Sequence, residues 1–209
     1  MGVSIEVPGL DTIIPEVGDG RLVLVESGSD PAKSFFVRRL VLTALKNRNR
    51  VTFVTSRDRM ELLDLLSAEG GIPREESERL RIYEADAVER LDEYAQWGGL
   101  LAVDSFSFLT LDLSPLALAD LLRNVRSICH EKGTTVLLAT DRGMFETRVE
   151  AVAVHLADGF IQFHAKESPE GLVRFLRIPK WMDGKFVDRN VYYDFDGHRL
   201  AIDLRRRVL

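Results

Sequence analysis

The sequence predicts an α/β protein: a mainly parallel central sheet flanked by helices, with an antiparallel β extension toward the C-terminal end. Short apolar runs alternate with segments of helical period through the first two thirds of the chain. Those runs are rich in Val, Leu and Ile, as strands covered on both faces require. The last third instead carries closely spaced turn signals: Asp158-Gly159, Ser168-Pro169-Glu170-Gly171, Met182-Asp183-Gly184 and Asp196-Gly197. These read as hairpins.

Each element has its own signal. Residues 21–26 form the first buried-strand pattern, and a helix follows through Phe35, Phe36, Leu40, Val41, Ala44 and Leu45. Residues 51–55 are β-branched and aromatic, hence a strand. Asp58 caps a helix carrying Met60, Leu62, Leu63, Leu65 and Leu66, which Gly70-Gly71 ends. Residues 80–83 and 100–103 are short strands, the second ending in Asp104-Ser105. Ser114-Pro115 opens a long helix with Leu118, Leu121, Leu122, Val125, Ile128 and Cys129 on one face, closed by Lys132-Gly133. A strand over 134–139 ends in Thr140-Asp141. Beyond it, residues 152–157, 159–165, 172–178 and 191–195, continuing toward 204, read as short strands. The expectation is one domain over 1–209, with an α/β core at 1–150 and a β-hairpin extension of the same sheet at 151–209.

Composition narrows the function classes. The chain has 209 residues, 45% of them hydrophobic and 29% charged, an ordinary globular balance. Its net charge of −5 gives no basic field for nucleic acid or an anionic membrane. A single cysteine, Cys129, excludes an internal disulfide and any cysteine-based metal cluster. The acids Glu6, Asp11 and Glu16 break up any leader-like stretch, and Asp104, Asp112 and Asp120 interrupt the longest apolar stretches. A soluble cytoplasmic protein is expected. His130, His155, His164 and His198 are dispersed without acidic or sulfur partners at ligand spacing. Ser105 and Ser107 lack the glycines of a nucleophile elbow. The run Arg205-Arg206-Arg207 reads as a solvated tail.

Residues 27–34, Ser-Gly-Ser-Asp-Pro-Ala-Lys-Ser, are the most informative stretch. A strand, a tight turn and a helix beginning at Lys-Ser is the setting in which a GxxxxGK[ST] loop cradles phosphates. Here Ser27 and Ala32 stand where the two glycines belong. A side chain before the lysine costs about 1–2 kcal/mol if the left-handed conformation is kept. Pro31 removes an amide donor. Asp30, about 4 Å from a phosphate oxygen, would be repelled by roughly a few kcal/mol at an effective dielectric near 20. Asp-Pro also reads as N-cap and N1 of an ordinary helix, with the carboxylate filling the role of a phosphate and Lys33 partnered within the chain. A plain strand–helix turn of some α/β protein is the competing reading of the loop.

Taken in order, the motifs resemble the KaiC-like branch of the RecA superfamily of P-loop ATPases. Pro8-Gly9-Leu10-Asp11 and Gly18-Asp19-Gly20-Arg21 are similar to the elements before the family's P-loop strand. Leu101-Ala102-Val103-Asp104-Ser105 resembles its Walker B strand. Ala157-Asp158-Gly159-Phe160-Ile161, Ile178-Pro179-Lys180 and Asp196-Gly197 resemble its C-terminal region. The resemblance implies a RecA-like P-loop fold, ATP or ADP with Mg as cofactor, and ring-like self-association. It also implies a binding set of Gly28, Ser29, Lys33, Ser34, Asp104 and Thr140, with Ser34 and Asp104 as the Mg ligands if nucleotide binds. Asp104 has a second reading, as a buried strand-end carboxylate paired with Lys33.

The departures shape the functional expectation. Where the family carries an acidic pair that supplies the hydrolytic base, this chain has Arg57-Asp58. A guanidinium accepts no proton at neutral pH, so Asp58 is the remaining candidate base. Lys180 is present, but Trp181-Met182-Asp183 replaces the arginine that would reach a neighbour's γ-phosphate. With cradle, base and inter-subunit cation all altered, efficient ATP hydrolysis is not expected. The expectation is a non-catalytic regulatory or assembly module that binds a protein partner, either its own copy or an active relative. The alternatives are a genuine ATP-binding protein or ATPase with an atypical loop, and a DNA-recombination accessory, against which the negative charge argues.

Overall fold

The computed structural model describes residues 2–28, 30–72, 74–84, 90–169, 171–184 and 186–203. The strands are β1 (Val3–Ser4), β2 (Glu16–Val17), β3 (Leu22–Ser27), β4 (Val51–Val54), β5 (Leu80–Tyr83), β6 (Leu100–Val103), β7 (Thr135–Asp141), β8 (Gly159–Ser168), β9 (Gly171–Lys180), β10 (Val187–Phe195) and β11 (Leu200–Ile202). The helices are α1 (Ala32–Lys46), α2 (Arg59–Ala68), α3 (Leu91–Ala95), α4 (Phe106–Leu109), α5 (Pro115–Lys132) and α6 (Thr147–Leu156). β1 and β2 pair as a small hairpin, and the others form a nine-stranded sheet in the order β11-β10-β9-β8-β3-β7-β6-β4-β5. The strands from β8 to β5 in that order run parallel, and β8 to β11 are antiparallel.

Alternation along the strands divides the core into two layers. Val23 and Val25 of β3 face α1 and α2, with Phe36, Leu40, Val41, Leu62 and Leu66 among the buried partners. Leu22 and Leu24 face the layer of α3, α5 and α6, with Leu118, Leu122, Val125 and Ala153. Cys129 lies in this second layer, fully buried, and burial pushes its thiol up to about 12.

One expected strand is a helix. Residues 152–157 read as β because Val152 and Val154 are β-branched, yet α6 spans Thr147–Leu156. Its buried residues Val149 and Ala153 are four apart, which is helical spacing. Packing of that stripe into the α5 layer overrides the residue preference. The continuation toward 204 resolves into β10 and β11, joined at Asp196-Gly197, where Asp196 Oδ1 accepts the amides of His198 and Arg199 at 2.8 and 2.7 Å. Residues 204–209, including the expected arginine tail, lie outside the described residues.

Candidate functional site

Strand order decides which side chains meet. β7 lies between β3 and β6, so Thr140 and Asp141 stand between the loop after β3 and Asp104 after β6. Lys33, in the first turn of α1, donates from Nζ to the Thr140 carbonyl at 3.0 Å. The same nitrogen lies 2.5 Å from Asp141 Oδ1. Asp141 Oδ2 accepts from Ser107 Oγ at 3.2 Å, and its backbone N–H donates to that hydroxyl at 2.9 Å. Lys33 has its expected partner within the chain, but that partner is Asp141 rather than the Asp104 of the second reading. The intervening strand brings a nearer carboxylate.

Asp30 is 6% exposed and uses both oxygens. Oδ1 accepts the Ala32 amide at 2.9 Å, and Oδ2 accepts the Tyr193 hydroxyl at 2.9 Å. Arg174 Nε lies 3.2 Å from Oδ2, an ion pair without hydrogen-bond alignment. Pro31 already has helical dihedrals, φ −69° and ψ −11°, and its carbonyl accepts the Phe35 amide at 3.2 Å. Asp30 therefore caps α1 as the Asp-Pro pair implies. Tyr193 is held far above its ordinary value, first by burial and then by the Asp30 charge, so the phenol stays a donor. Ser27 Oγ is 3.1 Å from the carbonyls of both Gly28 and Asp30, tying the loop to itself. A Cβ at Gly28 would meet nothing within 4 Å, so open space lies over that position. Ser29 falls outside the described residues.

Ser34 Oγ is 3.5 Å from Asp104 Oδ1, a long contact, and Asp104 is 3% exposed. Its other oxygen lies 3.8 Å from Arg57 Nε, while Arg57 also pairs with Glu61. Asp58 is exposed, and its Oδ1 accepts the amides of Met60 at 2.7 Å and Glu61 at 3.3 Å, the N-cap of α2. Lys180 is elsewhere: its Nζ donates to the Val154 and His155 carbonyls, each at 3.0 Å, at the C-terminal end of α6. Burial lowers its pKa.

The fold thus gathers Gly28, Lys33, Ser34, Asp104 and Thr140 at the carboxyl ends of the parallel strands, where such sheets bind ligands. Sequence reasoning missed Asp141, Tyr193 and Arg174 as members of this cluster. Asp141 was legible as the residue ending β7. Tyr193 lies 163 positions from Asp30 and meets it only through hairpin register. The pairing Tyr192↔Phe175 sets Tyr193 beside Arg174. Another buried carboxylate, Glu26 of β3, accepts from Arg142 Nε at 2.8 Å and Gln162 Nε2 at 3.1 Å. Among the described residues, no group of three or more His, Cys, Asp or Glu side chains is arranged to hold a metal ion.

No protein-family profile matches the chain, and no curated protein matches it significantly. Solved structures do match. The flagellar accessory protein FlaH from Methanocaldococcus jannaschii superposes with a TM-score of 0.82 at 17% identity, covering 97% of this chain and 98% of that one. The KaiC-like protein PH0186 from Pyrococcus horikoshii OT3 gives 0.80 at 19% identity, covering 97% and 99%. The chain shares the RecA-like fold of these two proteins. At these identities the likeness is one of fold, and it bears out the expected mainly parallel sheet with its antiparallel extension.

Proposed function

We propose that this chain is a RecA-fold module whose nucleotide site is closed by its own side chains, and that it acts by binding another protein rather than by hydrolysing ATP. The observation carrying this reading is Asp30, which takes the Ala32 amide with one oxygen and the Tyr193 hydroxyl with the other. An incoming phosphate would meet a buried carboxylate at the helix N-terminus that otherwise favours it. Two further pairings support the reading: Lys33 is neutralised by Asp141, and Arg57 stands beside Asp104, where a divalent cation would be repelled. The residues present do not fit Mg-nucleotide, and Asp58 is engaged as a helix cap rather than aimed at a phosphate. The partner is a second copy or an active relative. One fold neighbour is described as an accessory protein, which is in keeping with an auxiliary role. Among the described residues no helix is long and apolar enough to cross a membrane.

Calorimetric titration of the full chain with Mg-ATP tests the reading: no heat of binding is expected up to millimolar nucleotide, and micromolar affinity would overturn it. A second reading, an ATP-binding switch, is favoured by the placement of Ser34 beside Asp104. It requires that Lys33→Ala abolish nucleotide affinity while the fold survives.

A further inference from the structure

Four arginines converge at the opposite end of the sheet. β4 and β5 pair in the register Val51↔Leu80 and Thr52↔Arg81, which brings Arg50 and Arg79 side by side at the strand entries. Arg79 Nη1 donates to the Arg48 carbonyl at 2.7 Å. Trp97, just before β6, carries the Arg81 guanidinium 3.9 Å from its ring centroid and that of Arg50 at 5.8 Å. Arg50 Nη1 also reaches the Trp97 carbonyl at 3.4 Å. Gly99 makes this approach possible: its φ is +77°, and a Cβ there would lie 2.1 Å from the Arg50 carbonyl oxygen.

Arg38, Arg57, Arg90, Arg123, Arg126, Arg142 and Arg174 each have a carboxylate partner within 4.0 Å. Arg48, Arg50, Arg79 and Arg81 have none among the described residues, although Glu78 precedes Arg79 in the same 3-10 turn. Single arginines elsewhere, such as Arg59 in α2, Arg148 in α6 and Arg189 in β10, also lack a carboxylate partner among the described residues, but here four lie on adjoining segments. Concentrating unpaired like charges costs stability unless something of opposite sign arrives.

We infer that this end of the sheet is a docking surface for an acidic segment of a partner protein. Guanidinium groups take carboxylates two donors at a time, and one already stacked on an indole loses little freedom in doing so. A single-stranded nucleic acid fits less well. Arg81 occupies the stacking distance that a base would need on Trp97, and the net charge of −5 repels a long polyanion. The inference rests on the protein-binding role proposed above and supplies its surface.

The test uses the full chain and a short fluorescently labelled polyglutamate peptide, followed by anisotropy and by the emission of Trp97. Binding that weakens steeply with salt is expected, along with at least about a tenfold loss in R50E/R81E and little loss in R148E/R189E, an equal charge change elsewhere. Arg81→Gln serves if the double reversal does not fold, and is expected to weaken binding with the fold intact. Absence of peptide binding, equal loss in both double variants, or tighter binding of an oligothymidylate of matched length would each overturn the inference. Mg-ATP binding at the loop would defeat the nucleotide-free reading alone. Loss of the peptide interaction would defeat this surface alone.

Discussion

The two ends of the parallel sheet treat charge in opposite ways. At the carboxyl ends, charged groups around the loop are answered from within: Lys33 by Asp141, Asp104 by Arg57, Asp30 by Arg174. At the amino ends, Arg50 and Arg81 lie over the Trp97 ring and Arg79 reaches the Arg48 carbonyl, with no carboxylate partner among the described residues. Parallel α/β sheets place ligands at the first end, and the proposed function takes the internal pairing there as closing it. The second end, which the fold does not ordinarily use, is the one left open.

The largest effects are expected where the closed end is broken. Asp30→Ala removes a cap and strands Arg174 and the Tyr193 hydroxyl, for a loss of roughly 3–5 kcal/mol in denaturant unfolding. A loss below about 1 kcal/mol would mean that the carboxylate does not hold the loop. At the open end, Gly99→Ala forces a Cβ to 2.1 Å from a backbone oxygen at positive φ and is expected to cost about 3 kcal/mol or more. Gly98→Ala, at φ +82° with nothing within 4 Å, is expected to cost about 1 kcal/mol, so the two variants separate strain from collision.

Alkaline pH probes the buried acids. Cys129, ordinarily near 9.0, is pushed up to about 12, and Tyr193 is raised well above 10.0. In both cases the unfolded chain releases a proton that the folded chain keeps. Their contribution to stability is therefore complete below about pH 9 and declines as pH rises above it. Cys129→Ala is expected to flatten the part of the decline that begins near 9.0, and Tyr193→Phe the part that begins near 10.0. Unfolding midpoints measured across pH 7–12 check both.

Smaller effects complete the series. Asp58→Ala removes the N-cap of α2 and is expected to cost about 1 kcal/mol. Arg81→Ala is expected to change stability by less than about 1 kcal/mol, because it relieves repulsion while losing a cation–π contact. A large destabilisation by Arg81→Ala would erase the distinction between the two ends, since it would make the arginine cluster a structural device.

Local chemistry in the chain was sufficient for much of this. The Asp30-Pro31 helix start, the Asp58 and Ser114 caps, the Asp196-Gly197 turn and the buried strands all follow from residues near one another, whose energetics act over one or two turns of backbone. Their order also sufficed for the likeness to a RecA-type fold. Tertiary structure alone decided the rest. Residues 147–156 became α6 because Val149 and Ala153, four apart, found a partner layer, and Lys33 met Asp141 because β7 lies between β3 and β6. Tyr193 reached Asp30, and Arg50 and Arg81 met Trp97, because sheet register brings together side chains that the sequence holds far apart. No local signal encodes that register; it is fixed only when the strands pair and the two layers pack.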